Sequence, residues 1–114
     1  MKLKPVIPFT TFAAVDLRLG TIIKAENHDK AKRPAIKLWI DLGPHGIKQS
    51  SAQITDFYTP QKLINRQVIV VANLPPKQVA SFMSEVLTLG IITPENKVVL
   101  IGPDQSSSNG QTIE

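Results

Sequence analysis

The sequence predicts an all-β fold, a small barrel of five or more short strands with brief helical segments and an N-terminal extension. Three observations carry this. Apolar and polar residues alternate with a period of two along several stretches, as in strands with one buried face. Glycine and proline break those stretches at short intervals, as turns require. Only one intervening stretch, between Ile54 and Ile64, has a helical look.

Taken in order, residues 1–14 form the extension, and Pro8 to Ala14 reads as one or two helical turns. A first strand spans Val15 to Glu26, with Val15, Leu17, Leu19, Thr21, Ile23 and Ala25 on one face and Ile22 as the exception. Gly20 inside it reads as a bulge or bend. The second strand sends Ile36, Leu38, Ile40 and Leu42 one way and Lys37, Trp39 and Asp41 the other. Gly43-Pro44-His45-Gly46 suits a type I turn, so a third strand, Ile47 to Gln53, forms a hairpin with the second. After a short helix within Ile54–Ile64, Gln67 to Asn73 is apolar on both faces and reads as a buried strand, ended by Pro75-Pro76. Glu85–Leu89 and Lys97–Ile101 read as two more strands, with turn signals at Gly90 and Pro94-Glu95-Asn96. A polar loop, Pro103 to Gly110, leads to Gln111–Glu114 as a last edge strand. The count fits a five-stranded Greek-key barrel of the OB type and also an SH3-like barrel, and pattern alone does not choose.

Composition narrows the chemistry. The chain has no cysteine, which removes disulfide scaffolds, thiolate zinc sites, iron–sulfur centres and thiol nucleophiles. The first eight residues lack the apolar core of a signal peptide, and no apolar run approaches the roughly 20 residues of a membrane span. The expectation is a cytoplasmic protein without membrane insertion. Residues 1–37 hold eight basic and three acidic side chains, whereas residues 38–114 hold five and six. The basic half suits a polyanionic partner.

Catalysis finds thin support. His28 and His45 both fall in predicted turns and are expected to be exposed. A Ser51, His45, Asp41 triad can be drawn on one hairpin, but a histidine at a loop tip is poorly placed to be oriented as a base. A small serine hydrolase using Ser51 or Ser84 is the alternative reading. No ligand spacing points to a metal, and no glycine-rich loop points to a nucleotide cofactor. Binding features are denser. Lys30, Lys32 and Arg33 cluster in the loop after the first strand, where phosphate contact is plausible. Trp39, on the polar side of its strand, either stacks a base or packs under the N-terminal segment or a subunit interface; the cost of leaving an indole in water favours packing. Lys48-Gln49-Ser50-Ser51-Ala52-Gln53 is polar on both faces, and Asn73-Leu74-Pro75-Pro76-Lys77 with Ser81-Phe82-Met83-Ser84-Glu85 joins a rigid turn to an aromatic and two serines. Together these segments look like the walls of a site.

Asp16-Leu17-Arg18-Leu19-Gly20-Thr21-Ile22, Ala35 to Gly43, Lys48-Gln49-Ser50-Ser51-Ala52-Gln53-Ile54 and Ser84-Glu85-Val86-Leu87-Thr88-Leu89-Gly90 resemble the tRNA-binding domain family, over about residues 9 to 113. This module is also appended to some methionyl-tRNA and phenylalanyl-tRNA synthetases. The resemblance implies an OB-fold domain over residues 15–114, a homodimer with residues 1–14 at the contact, and binding of tRNA or other structured RNA without catalysis or cofactor. Likeness to stand-alone members also implies an export-related chaperone that binds unfolded or presecretory polypeptides, with export machinery as a further partner. The implied RNA face falls on Lys48, Ser51, Gln53, Asn73, Lys77, Phe82, Ser84 and Glu85, joined by Lys30, Lys32 and Arg33 for phosphates. Phe82 would stack a base, and Phe82 with Met83 would meet polypeptides. Ser81 departs from a usual glycine, and Met83 from a lysine frequent in close relatives.

Overall fold

The computed structural model describes residues 2–114, with elements α1 (Phe9–Ala13), β1 (Leu17–Asn27), β2 (Ile36–Asp41), β3 (Ile47–Ala52), α2 (Pro60–Leu63), β4 (Gln67–Val71), β5 (Lys77–Val79), β6 (Phe82–Ser84), β7 (Leu87–Thr88), β8 (Gly90–Ile92) and β9 (Val98–Leu100). The main sheet runs β3-β2-β1-β4-β7, all neighbours antiparallel. Strand β1 is long because it serves two neighbours: Leu17 to Thr21 pair with β4, and Thr21 to Asn27 pair with β2. Backbone bonds from Glu85 and Val86 to the Gln49 carbonyl bring the start of β7 against β3 and nearly close the barrel. The strand order around it is β1-β2-β3-β7-β4, the OB-type order among the two left open by pattern.

The core is the barrel interior: Ile22, Ile36, Leu38, Ile40, Leu42, Ile54, Leu63, Val68, Val70 and Val86. The inward face of β2 is the one its alternation predicts, with Leu42 just beyond its end. Strand β1 behaves differently. Its register shifts between Ile22 and Lys24, so Ile22 lies in the core, Ile23 is exposed, and Ala25 packs inward after the shift. The irregularity therefore sits three residues beyond Gly20. Gly20 has another reason to be glycine: a Cβ there would lie 2.5 Å from Ile40 Cγ2 and 2.6 Å from Leu42 Cδ2. The missing side chain lets β1 cross close over β2.

The β2–β3 hairpin forms as expected, with Gly43–His45 as a single 3-10 turn. The helix expected within Ile54–Ile64 is reduced to α2, which seats Leu63 in the core. The extension carries α1 as expected, with none of its residues buried. Four features depart from the strand reading. The β5–β6 hairpin goes unread, because three-residue strands flanked by Pro75-Pro76 leave no period to detect. The strand expected over Glu85–Leu89 shrinks to β7, since Glu85 and Val86 turn to β3. Gly90 begins β8 rather than marking a turn, and Pro94-Glu95-Asn96 closes the β8–β9 hairpin. The C-terminal segment does return to a sheet edge, but as one antiparallel bridge of Thr112 to Arg18, flanked by the Leu19 N–Gln111 O and Ile113 N–Leu17 O bonds, on the part of the β1 edge that β2 leaves free, and not as a full strand.

Candidate functional site

The site is built around the free edge of β3. An edge strand exposes N–H and C=O groups that need partners. Here the end of β6 and the residues after it supply them partly with side chains. Ser51 N donates to Ser84 Oγ at 3.0 Å, and Gln49 N donates to Glu85 Oε1 at 3.0 Å. Glu85 N returns a bond to the Gln49 carbonyl at 2.8 Å. Thr88 Oγ1 donates to the buried Ser50 Oγ at 2.8 Å. The density of short polar side chains in both segments is thus explained first by barrel closure.

The outer face of β2 and β3 is roofed by the β5–β6 hairpin. Phe82, 7% exposed, sets its ring against Trp39 (centroids 5.5 Å apart) and His28 (5.7 Å). The Lys24 ammonium lies 4.5 Å from the Trp39 ring centroid and that of Lys37 5.7 Å from Phe82. With the Gln49 amide turned to satisfy both its ends, it accepts from Trp39 Nε1 and donates to the Met83 carbonyl, each at 3.1 Å. Trp39 therefore packs under this hairpin, and not under the N-terminal segment. Phe82 is likewise a packing residue with no free face for a base. Met83, the next residue of β6, is exposed and lies outside the cavity that β5 lines, so the two do not form one contact surface.

Beside this roof lies a cavity of about 680 Å³. Eight residues singled out in the sequence line it: Lys30, Lys32, Arg33, Ser51, Gln53, Lys77, Ser84 and Glu85. Its cations and Gln53 are exposed, while Ser51, Ser84 and Glu85 are half-buried. Apolar parts of the wall come from Leu74 and Pro75, within a segment the sequence offers as a wall, and from Val79, Val86 and Leu87, which it does not offer as site residues. Lys48 points elsewhere. It alternates with Ser51 along β3 and lines a second cavity of about 420 Å³ with Arg18 and His45. The two cavities share Leu74, Glu85 and Val86 in their walls, so they lie side by side. Asn73 belongs to neither. Its amide accepts from Asp16 N at 2.8 Å and donates to the Ala14 carbonyl at 2.7 Å, tying the extension to the barrel.

His28 corrects the expectation of an exposed turn histidine. It is 5% exposed, with its Nδ1 3.3 Å from Ser51 Oγ and its Nε2 unpartnered among the described residues. No local pattern could reveal this, because the contact joins residues 23 apart. His45 is exposed at the opposite end of the hairpin from Ser51, and Asp41 Oδ1 accepts from Gly43 N at 2.8 Å, so the drawn triad does not assemble. The Ser51–His28 pair lacks a third group to orient the ring as a base, which leaves the hydrolase reading without geometric support. Among the described residues no cluster of His, Asp or Glu could hold a metal ion, and no helix is long and apolar enough to cross a membrane.

Comparison with known proteins places this geometry. A family model described as "Putative tRNA binding domain" matches residues 17–112. The crystal structure of chaperone CsaA from Bacillus anthracis is 47% identical, with a TM-score of 0.92, covering 96% of this chain and all of that one. CsaA chaperone protein from Picrophilus torridus is 44% identical, with a TM-score of 0.89 and the same coverage. A methionine–tRNA ligase of Pelodictyon phaeoclathratiforme is 34% identical over all 114 residues, and this chain spans 16% of that enzyme's length.

Proposed function

The chain belongs to the tRNA-binding domain family, and from that premise we propose that it binds tRNA or other structured RNA, non-catalytically, as a cytoplasmic homodimer. The observation that carries this is the convergence of Lys30, Lys32, Arg33 and Lys77, from two separated segments, on the rim of one groove. Four exposed cations on one concave surface favour a polyanion, and the shape of the groove limits which one. Lys48 and Arg18 add positive surface in the adjacent cavity, although Arg18 is also paired with Asp16 at 2.7 Å. In this reading Ser51, Gln53 and Ser84 supply polar contacts inside the groove. Asn73 and Phe82, proposed for the same face from the resemblance, support it from behind.

A second reading has its own observation. Leu74, Pro75, Val79, Val86 and Leu87 give the groove an apolar wall, suited to an unfolded or presecretory polypeptide. The likeness to chains named as chaperones supports it. A titration of tRNA across a range of salt, with an unfolded polypeptide as competitor, tests both. With about four phosphate contacts, log affinity falls against log salt with a slope of roughly −3. Lys77→Ala flattens that slope by somewhat less than one unit. A slope near zero, with tight polypeptide binding, would move the polypeptide reading ahead.

A further inference from the structure

Glu85 stands where the two cavities meet and lines both. One cavity is lined by Lys30, Lys32, Arg33 and Lys77, and its neighbour by Arg18 and Lys48. Each cavity is therefore cationic, with the Glu85 carboxylate on the wall they share. Asp16 also lines the second cavity, but its Oδ1 is taken by Arg18 Nε. Glu85 has no ion pair among the described residues. Its Oε1 accepts from Gln49 N, while its Oε2 makes no hydrogen bond within the described chain. The reciprocal bonds with Gln49, Oε1 to N and N to O, hold the side chain in place.

An ionised carboxylate only accepts hydrogen bonds, and it repels phosphate. An RNA strand crossing both cavities thus sets phosphates against the cations of each and presents a hydrogen-bond donor at the wall between them. On the RNA-binding reading above, we infer that Glu85 selects a nucleobase whose edge carries an amino group, its Oε2 accepting from that group. Cytosine, adenine and guanine each offer such an amine to a carboxylate when unstacked in a loop. Uracil has a single N–H flanked by two carbonyls, whose lone pairs would face the carboxylate. Glu85 therefore discriminates against uracil at one position of the bound strand.

Four RNA hairpins with one stem and loops of all-C, all-A, all-G or all-U test this, titrated at one salt concentration beside a tRNA. The U-loop hairpin is expected to bind the parent chain about tenfold more weakly than the best of the others. Glu85→Gln keeps an oxygen for Gln49 N and adds an amide N–H that can donate to a uracil carbonyl. In that variant, checked for an unchanged melting temperature, the uracil deficit is expected to vanish. A parent chain that binds the U-loop as well as the rest overturns the inference, as does a deficit that persists in Glu85→Gln. If tRNA binds and none of the hairpins does, recognition is of tRNA shape and base selection is overturned. If no RNA binds at all, the RNA-binding reading itself falls and takes this one with it.

Discussion

His28 is the residue whose surroundings are least satisfied. Burial without a partner for Nε2 costs about 1–3 kcal/mol, and only one long bond, to Ser51 Oγ, offsets it. His28→Phe removes the orphaned nitrogen and keeps an aromatic edge against Phe82. Ser51 is half-buried on the cavity wall, so its hydroxyl then turns to solvent. The expected outcome is a gain of about 1 kcal/mol in chemical denaturation. A loss of similar size would show that the Ser51 contact outweighs the unpaired nitrogen. By contrast, Gly20 has no such freedom, since any side chain there meets Ile40 and Leu42 in the barrel interior.

The β5–β6 hairpin is fixed by the Phe82 ring together with the Ser51 N–Ser84 Oγ bond and the Gln49 amide bond to the Met83 carbonyl. Its strands are three residues each, too short to hold themselves, and Phe82 pins them to Trp39 and His28. Phe82→Ala is expected to cost about 3 kcal/mol in stability, from lost burial and the cavity left behind. Phe82→Leu separates packing from base stacking. It keeps most of the buried volume and no π-face, so tRNA affinity is expected to stay within about twofold of the parent while stability falls modestly. A loss of about 1–3 kcal/mol in affinity would instead assign Phe82 the stacking role that the family resemblance implies.

At the scale of the whole molecule, the extension leaves apolar side chains uncovered. Leu3 is 99% and Val6 100% exposed, Ile7 and Phe9 are more than half exposed, and the Phe9 and Phe12 rings lie 6.1 Å apart, tilted by 52°. The root of the extension is well fixed, by Asn73 and by the Ala72 N–Asp16 O bond. Exposed apolar side chains on a fixed root suit the contact of the proposed homodimer. A chain beginning at Ala14 is expected to sediment as a monomer, or to lose solubility, where the parent sediments as a dimer. A well-behaved dimer of the shortened chain would place the interface on strand edges instead.

Some of this molecule was determined by the sequence alone. The inward face of β2 and the hairpin to β3 rest on local signals. A period of two and a Gly-Pro turn act over a few residues, whatever the rest of the chain does. Tertiary structure alone decided the rest. The face of β1 switches because a register shift follows Ile22, which no alternation announces. Ser84 and Glu85 serve barrel closure because β3 has an edge to be paired, and that edge exists only once the sheet has formed. Burial of His28 and Phe82, and the parting of Lys48 and Asn73 from the main cavity, follow from contacts between segments far apart in the chain. Residue type sets what each side chain can do; which partner reaches it is settled by packing, which the sequence encodes only collectively.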